Sequence, residues 1–374
     1  MRVPKPVARP AHGGDLDAIA KRYGVDAPTL LDFSSNVDPF GPPSRVYSAL
    51  YEMARSKMNS LARYPEPTSR SLRELFAGRL GIDPACIVIA NGSAALFDAV
   101  VRAVTPAATV VPVPAFSEYL RAVQSAGSRY VPYPMDDRFD WDDAALLETI
   151  ERKGATLLIL TNPHNPSGRL FSQERLRALA VGCARLGAFV LLDEAFIDYA
   201  EEESLARDVP ENAVAVRSLT KFYGIAGVRI GYAVAPEALA TAVASRLPSW
   251  PVGAFDQAAV AAALTQHGYA ERTLRRNERE RSRMERQLTR AGMTVFPSAA
   301  NFLLLELPCQ AAALDELLER LIRESGIVVR DCRSYDGLSD RSVIRVAVRK
   351  QDESTRLIRA LASLVSGMRP VAQF

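Results

Sequence analysis

In the run RSLTKFYGIAGVRIGY, residues 217–232, Lys221 and Arg229 interrupt a segment made largely of apolar residues and glycines. Lysine and arginine are seldom fully buried unless something pairs with them or holds them. An anionic or carbonyl ligand is therefore the expected partner. Burial and a nearby cation both depress a lysine's pKa, and a lysine that attacks a carbonyl needs that depression. Upstream, Asp193 closes the apolar run VLLDE, which puts a carboxylate at a strand end where it can pair with a cationic ring nitrogen. The chemistry on offer is a nucleophilic amine, a buried counter-ion and an anion site.

Such groups must be held by regular elements. Short β-branched runs recur at CIVIAN (86–91), TVVPV (109–113), TLLILTN (156–162), AFVLLDE (188–194), AVAVRSL (213–219) and RIGYAVA (229–235). Between most of them lie helix-period segments, among them SAALFDAVVRAV (93–104), SEYLRAVQSAG (117–127) and SQERLRALAVGCARLG (172–187), the last opened by a capping serine. Strands alternating with helices predict an α/β fold with a largely parallel, doubly wound sheet. Ligands of such sheets sit at the carboxyl ends of the strands. Asn91, Gly92, Ser93, Asn162, Asn165, Asp193, Ser218 and Lys221 all fall just past those ends.

Beyond about residue 255 the texture changes. A long Arg/Glu-rich helical stretch (269–292) is followed by FLLLEL (302–307), LDELLERLIRESG (314–326), IVVR (327–330), VIRVAVR (343–349) and a closing helix. The pattern predicts a large domain over 46–255 and a smaller α+β domain from 256–374, joined by an N-terminal arm over 1–45. The interleaved charges of the long helix read as a solvated face.

Composition bounds the rest. The chain has 374 residues, 48% of them hydrophobic and 24% charged, and a net charge of +3, which gives no argument for nucleic acid or membrane. Cys86, Cys183, Cys309 and Cys332 are scattered without metal-ligand spacing, so reduced thiols in the cytoplasm and no metal are expected. The first residues lack an apolar signal region, and no run approaches the ~20 residues that span a bilayer.

A Schiff-base lysine, an acidic partner for a pyridinium and a phosphate site are the three services pyridoxal phosphate requires. TNPHNPSG, LLDEAF and RSLTKFYGIAGVRIGY, in this order and spacing, resemble the fold-type I pyridoxal-phosphate enzymes of the class I/II aminotransferase group. The resemblance spans nearly the whole chain. It implies that Lys221 binds the cofactor covalently, that Asp193 pairs with its ring nitrogen, and that Asn165 hydrogen-bonds its ring oxygen. Ser218, Arg229, Ser93 and the Gly92 backbone are implied to hold its phosphate, and Phe116 to stack on its ring. Tyr64 in RYPEP is implied to reach the phosphate of a neighbouring subunit's cofactor, hence a homodimer with shared sites.

The cofactor does not name the reaction. Arg345 matches the position that grips a substrate carboxylate in this group, and Arg330 the one that histidinol-phosphate aminotransferases and their relatives use on a substrate phosphate. AHGGDLDAIAKRYGV with His12, LLDFSSNVDPFGPP with Asn36, FSEYLRA, LDEAFIDY, LPSWPVGA and RVAVR resemble the threonine-phosphate decarboxylases of cobalamin biosynthesis. This implies a phosphorylated amino acid as substrate, with His12, Asn36 and Arg330 around its phosphate. Histidinol-phosphate aminotransferases usually carry tyrosine where Phe196 stands. Asp15 and His164 depart from the decarboxylase pattern, which has asparagine at the first and frequently at the second; His164 reads as a loop residue, and His267 invites no role. An aminotransferase acting on a phosphorylated substrate remains the alternative.

Overall fold

The computed structural model describes residues 13–55 and 62–366. A seven-stranded sheet runs in the order Ile87–Ala90, Gly231–Val234, Ala213–Ser218, Phe189–Glu194, Leu157–Thr161, Ala108–Val113, Arg129–Pro134. Neighbours are parallel except Gly231–Val234, which is antiparallel to the strands on either side. The central strands are buried throughout, as continuous apolar runs in a doubly covered parallel sheet must be. Helices Ser93–Val104 and Ser117–Ser125 cover one face, where Leu96, Phe97, Tyr119 and Val123 meet Ile159, Leu191 and Val216. Helices Asp143–Lys153 and Gln173–Arg185 cover the other, with Ile150 and Leu179 against Leu158 and Leu192.

The six expected strands are all present. A seventh, Arg129–Pro134, was not expected: its RYVPYP sequence carries two prolines and is largely unburied. Proline cannot donate to a ladder, so it is tolerated at the sheet edge, where this strand lies.

A second, antiparallel sheet joins Arg330–Asp331, Val343–Ala347, Phe302–Glu306 and Thr294–Val295. Helices Tyr269–Arg290, Leu314–Ser325 and Gln351–Ser366 pack on one side of it through Met284, Leu288, Leu317, Leu321, Leu357 and Leu361. The run read as one strand, IVVR, is divided. Ile327–Val328 pairs in parallel with Leu31–Asp32, while Arg330 begins a strand of the four-stranded sheet. The anticipated boundary at 255/256 falls inside helix Ala254–Leu264, whose Ala259, Val260 and Ala263 share a core with Val46, Phe76, Ile89 and Tyr232 of the large sheet. On the long helix Arg275, Arg281 and Arg283 pair with Glu271, Glu278 and Glu280 of the same helix.

Among the described residues no helix is long and apolar enough to cross a membrane, and no group of three or more His, Cys, Asp or Glu is placed to hold a metal ion. All four cysteines are free.

Candidate active site

Strand register decides which groups reach the carboxyl rim of the large sheet. Thr161 lies beside Asp193, and Ser218 lies beside Gly231, which in turn lies beside Ala90. The short helix Leu219–Phe222 turns immediately after Ser218 and brings Lys221 back over the rim, so that Lys221 Nζ donates to Ser218 Oγ at 2.9 Å. Burial pushes the Lys221 amine down to about 8; Asp193 opposes that shift, and Arg229 and Arg345 reinforce it. At pH 7 roughly one amine in ten is then neutral, against about one in three thousand at the ordinary lysine value.

Asp193 is buried, and burial raises its carboxyl to about 6 against hydrogen bonds from Tyr119 and the Ala195 amide and the charge of Lys221. Oδ1 accepts from the Ala195 amide at 2.9 Å and Oδ2 from the Tyr119 hydroxyl. Tyr119 has a single proton, given to Asp193, so the second contact of its oxygen, 2.9 Å from Thr161 Oγ1, is one in which Thr161 donates. Nothing in the local sequence marks Tyr119 for the site, although a fully buried tyrosine must satisfy its hydroxyl somewhere.

An anion cradle lies beside the lysine. Helix Ser93–Val104 starts with no side-chain cap, leaving its first amides to other partners, and the Gly92 that precedes it has φ +82°. A Cβ on Gly92 would stand 3.0 Å from the Arg229 guanidinium, and one on Gly231 would stand 2.8 Å from the Ser93 amide nitrogen. Side chains are excluded at both points, and the Ser93 amide, Ser218 and Arg229 converge from three segments.

The second sheet supplies the other wall. Arg345 NH1 donates to Asn165 Oδ1 at 2.6 Å and to the Tyr335 hydroxyl at 3.3 Å, and its NH2 donates to the Ser34 carbonyl at 3.0 Å. This fixes the Asn165 amide: its oxygen is occupied by Arg345, which leaves the Nδ2 hydrogens as donors. Arg330 is opposite Arg345 in the strand pair, donates to Ser334 Oγ at 2.7 Å and lies over the Tyr335 ring, 5.3 Å from its centroid. Tyr335 is tied to the site by Arg330 and Arg345 of the second sheet and by Asn165 at the rim of the large one.

The segment following Leu31–Asp32 closes the gap between the two walls. The Asp38 amide donates to the Lys221 carbonyl at 2.9 Å, and buried Asn36 keeps an Oδ1 without a protein partner. Gly13 lies so close to Ser34 that a Cβ would meet its carbonyl oxygen at 2.6 Å. His12 lies outside the described residues.

Three further positions resolve plainly. Phe116 is half-buried at the start of helix Ser117–Ser125, its ring edge-on to Tyr119. Phe196 packs edge-on to Phe302 in an apolar cluster with Ala195 and Ala300. Tyr64 is exposed and rests on Trp250, ring centroids 4.8 Å apart.

Of the two departures from pattern, Asp15 caps helix Leu16–Tyr23 by accepting from the Ala18 amide. His164 is buried with Nε2 2.9 Å from the Pro114 carbonyl and Nδ1 2.7 Å from Ser167 Oγ, and burial pushes it down to about 4. Nε2–H donates to Pro114, and Ser167 donates to Nδ1. The ring is a neutral structural bridge.

The arrangement fits pyridoxal phosphate. A depressed lysine stands over a carboxylate with acceptor capacity to spare, beside a cradle of backbone and guanidinium donors that a side chain would fill. The aminotransferase class I and II family model matches residues 28–361. A threonine-phosphate decarboxylase of Salmonella typhimurium is 32% identical, covering 96% of this chain and 98% of its own. A histidinol-phosphate aminotransferase of Symbiobacterium thermophilum is 33% identical, covering 93% and 94%. The crystal structure of histidinol-phosphate aminotransferase from Sinorhizobium meliloti in complex with pyridoxal-5'-phosphate superposes with a TM-score of 0.86 at 26% identity, over 98% of this chain and 96% of that one. With this fold, this site and these relatives, the chain belongs to the class I and II aminotransferase family of pyridoxal-phosphate-dependent enzymes.

Proposed function

We propose that the protein decarboxylates L-threonine O-3-phosphate to (R)-1-aminopropan-2-ol O-2-phosphate, a building block of cobalamin. The observation that carries this reading is the direct opposition of Arg330 and Arg345 on one strand pair beside Lys221's rim. Two guanidinium groups so placed suit a small substrate with two anionic groups a short distance apart, and threonine phosphate carries its carboxylate and phosphate on adjacent carbons.

When bound, pyridoxal phosphate supplies an aldehyde that condenses with amines and a pyridinium ring that accepts the electron pair released at the substrate's α-carbon. Lys221 Nζ would hold the aldehyde carbon. Asp193 holds the ring nitrogen's proton in place, and Asn165 Nδ2 donates to the ring oxygen. Ser93, the Gly92 amide, Ser218 and Arg229 bind the cofactor phosphate, and Phe116 covers the ring face. Arg345 grips the carboxylate in a bidentate pair. Arg330, Asn36 and His12 would bind the substrate phosphate, and this remote contact would orient the bond between the α-carbon and the carboxylate for cleavage. Lys221 Nζ, in its ammonium form, would supply the proton that replaces carbon dioxide on the α-carbon.

The reading includes a homodimer in which Tyr64 reaches the neighbouring subunit's cofactor phosphate. Support comes from exposed aromatics on that side: Tyr64 is 82% exposed, with Trp250 against it at 44%, large apolar groups that call for cover. The four free thiols suit a reducing compartment, the cytoplasm.

A second reading, transamination of a phosphorylated substrate such as histidinol phosphate, is favoured by one specific observation: the relatives of that name are as similar as the decarboxylases. Phe196 weighs against it, because the pocket there is apolar and offers no phenol. The test is incubation of the purified protein with threonine phosphate and no 2-oxoacid. Stoichiometric carbon dioxide and aminopropanol phosphate are expected; turnover only upon addition of a 2-oxoacid would replace the first reading with the second.

A further inference from the structure

Tyr119 connects two groups to which the proposed function gives direct cofactor contacts. Its ring is fully buried and held edge-on by Phe97 and Phe116, with centroids 5.1 and 5.8 Å away. Its hydroxyl is thereby aimed at Asp193 Oδ2 while it accepts from Thr161 Oγ1. Thr161 and Asp193 are cross-strand neighbours in the parallel sheet, so the sheet register itself sets this geometry.

We infer that the chain Thr161 to Tyr119 to Asp193 is a positioning relay that sets how strongly Asp193 competes for the proton on the cofactor's ring nitrogen. Each hydroxyl in such a chain polarises the next, and a carboxylate that already accepts a hydrogen bond is a weaker base. Asp193 then leaves the proton on the ring, where it makes the ring a better electron acceptor. Without the phenol, only the Ala195 amide and the charge of Lys221 oppose burial, and the Asp193 carboxyl moves further up from about 6. The ring nitrogen would then lose its proton to Asp193. Tyr119 touches neither substrate nor cofactor in this account; it acts through Asp193.

The inference rests on the proposed pairing of Asp193 with the ring nitrogen but not on which phosphorylated substrate is turned over. Its test uses full-length protein loaded with pyridoxal phosphate carrying 15N in the ring, observed by NMR near neutral pH. Wild type is expected to give a protonated ring resonance, and Tyr119→Phe one displaced toward unprotonated pyridine. Turnover should fall ~10-fold with KM within about twofold, as for loss of one hydrogen bond to a charged group. Thr161→Val, which leaves the Tyr119 ring packed, should shift the resonance the same way by less, and it carries the test by itself if Tyr119→Phe does not fold. A wild-type resonance position in both variants overturns the inference. An Asp193→Asn protein whose ring resonance also stays put would sink the Asp193 pairing beneath it, so the two failures are told apart.

Discussion

Arg330 and Arg345 are directly in register across an antiparallel strand pair, both buried, and the hydrogen-bond partners of Arg345 are all neutral: Asn165, Tyr335 and the Ser34 carbonyl. Like charges directly opposite one another on a sheet repel. A ligand bearing two anionic groups relieves that repulsion, so threonine phosphate is expected to raise the melting temperature more than threonine or inorganic phosphate alone at equal concentration. Equal shifts from all three would remove the paired-anion reading.

Arg330→Ala should raise KM for a phosphorylated substrate by roughly 30-fold or more, since losing a desolvated charge contact costs about 2 kcal/mol or more. KM for the unphosphorylated analogue should change by less than about threefold. Steady-state kinetics on the two substrates checks this; parallel losses on both would show that Arg330 supports the fold rather than reads the phosphate.

Lys221→Ala should take up pyridoxal phosphate without a borohydride-fixable adduct and should show no turnover. In wild type the rate of covalent capture by cofactor-free protein should rise with pH and reach half its plateau near 8, where burial places the amine. Stopped-flow absorbance measures that profile. A midpoint near 10 would mean that the lysine is solvated, and the burial argument fails.

The rim chemistry was readable from the sequence because each chemical group closes an apolar strand, and strand ends are visible as the point where β-branched runs give way to polar residues. Lys221, Asp193 and Ser218 were found that way. Edge strand Arg129–Pro134 was invisible because an edge needs neither apolar alternation nor a full set of donors. The break after Val328 was invisible for a different reason: a register jump between two sheets leaves a continuous apolar run unchanged. Tyr119 and Tyr335 meet Asp193 and Asn165, partners 74 and 170 residues away, and no local pattern encodes such a contact. The alanine-rich helix Ala254–Leu264 carries little signal of which core it joins, since small residues fit against either layer.

Gly231→Ala should weaken cofactor binding at least ~10-fold. The added methyl would stand 2.8 Å from the Ser93 amide nitrogen and 3.0 Å from the Gly92 carbonyl carbon, both backbone atoms, so the start of helix Ser93–Val104 has to move away from Arg229 and Ser218. Displacing preorganised phosphate donors by even a fraction of an ångström costs affinity. Fluorescence titration of cofactor-free protein with pyridoxal phosphate is the measurement, and unchanged affinity would place the phosphate elsewhere.

His164→Asn should leave the pH dependence of turnover where it is, because a ring pushed down to about 4 is neutral throughout the working range. It should cost about 1–2 kcal/mol of stability by leaving Pro114 and Ser167 imperfectly paired. A displaced pH profile would make the histidine an acid–base group after all.

One residue beyond Asp193, Glu194 points to the other side of the sheet and lies beside Arg217, which also binds Asp198 and Glu201. Burial raises Glu194 to about 7 and Asp198 to about 6, against the pull of Arg217 on each. Their folded pKa values therefore lie above the unfolded ones, and the folded state binds more protons between about pH 4 and 7. By linkage, stability from these groups is fully present below that window and is lost as pH rises through it. Glu194→Gln keeps a hydrogen-bonding side chain for Ser204 and the Leu205 amide, which Glu194 engages at 2.6 and 2.7 Å, but it cannot titrate. The melting temperature of wild type minus that of the variant should accordingly decline from pH 4.5 to 7 and flatten above it. Arg217→Leu should destabilise by about 3–5 kcal/mol, more at pH 8 than at pH 5, because it strands ionised carboxylates in the interior. A difference curve that rises over the same window would mean that Arg217 outweighs burial at Glu194.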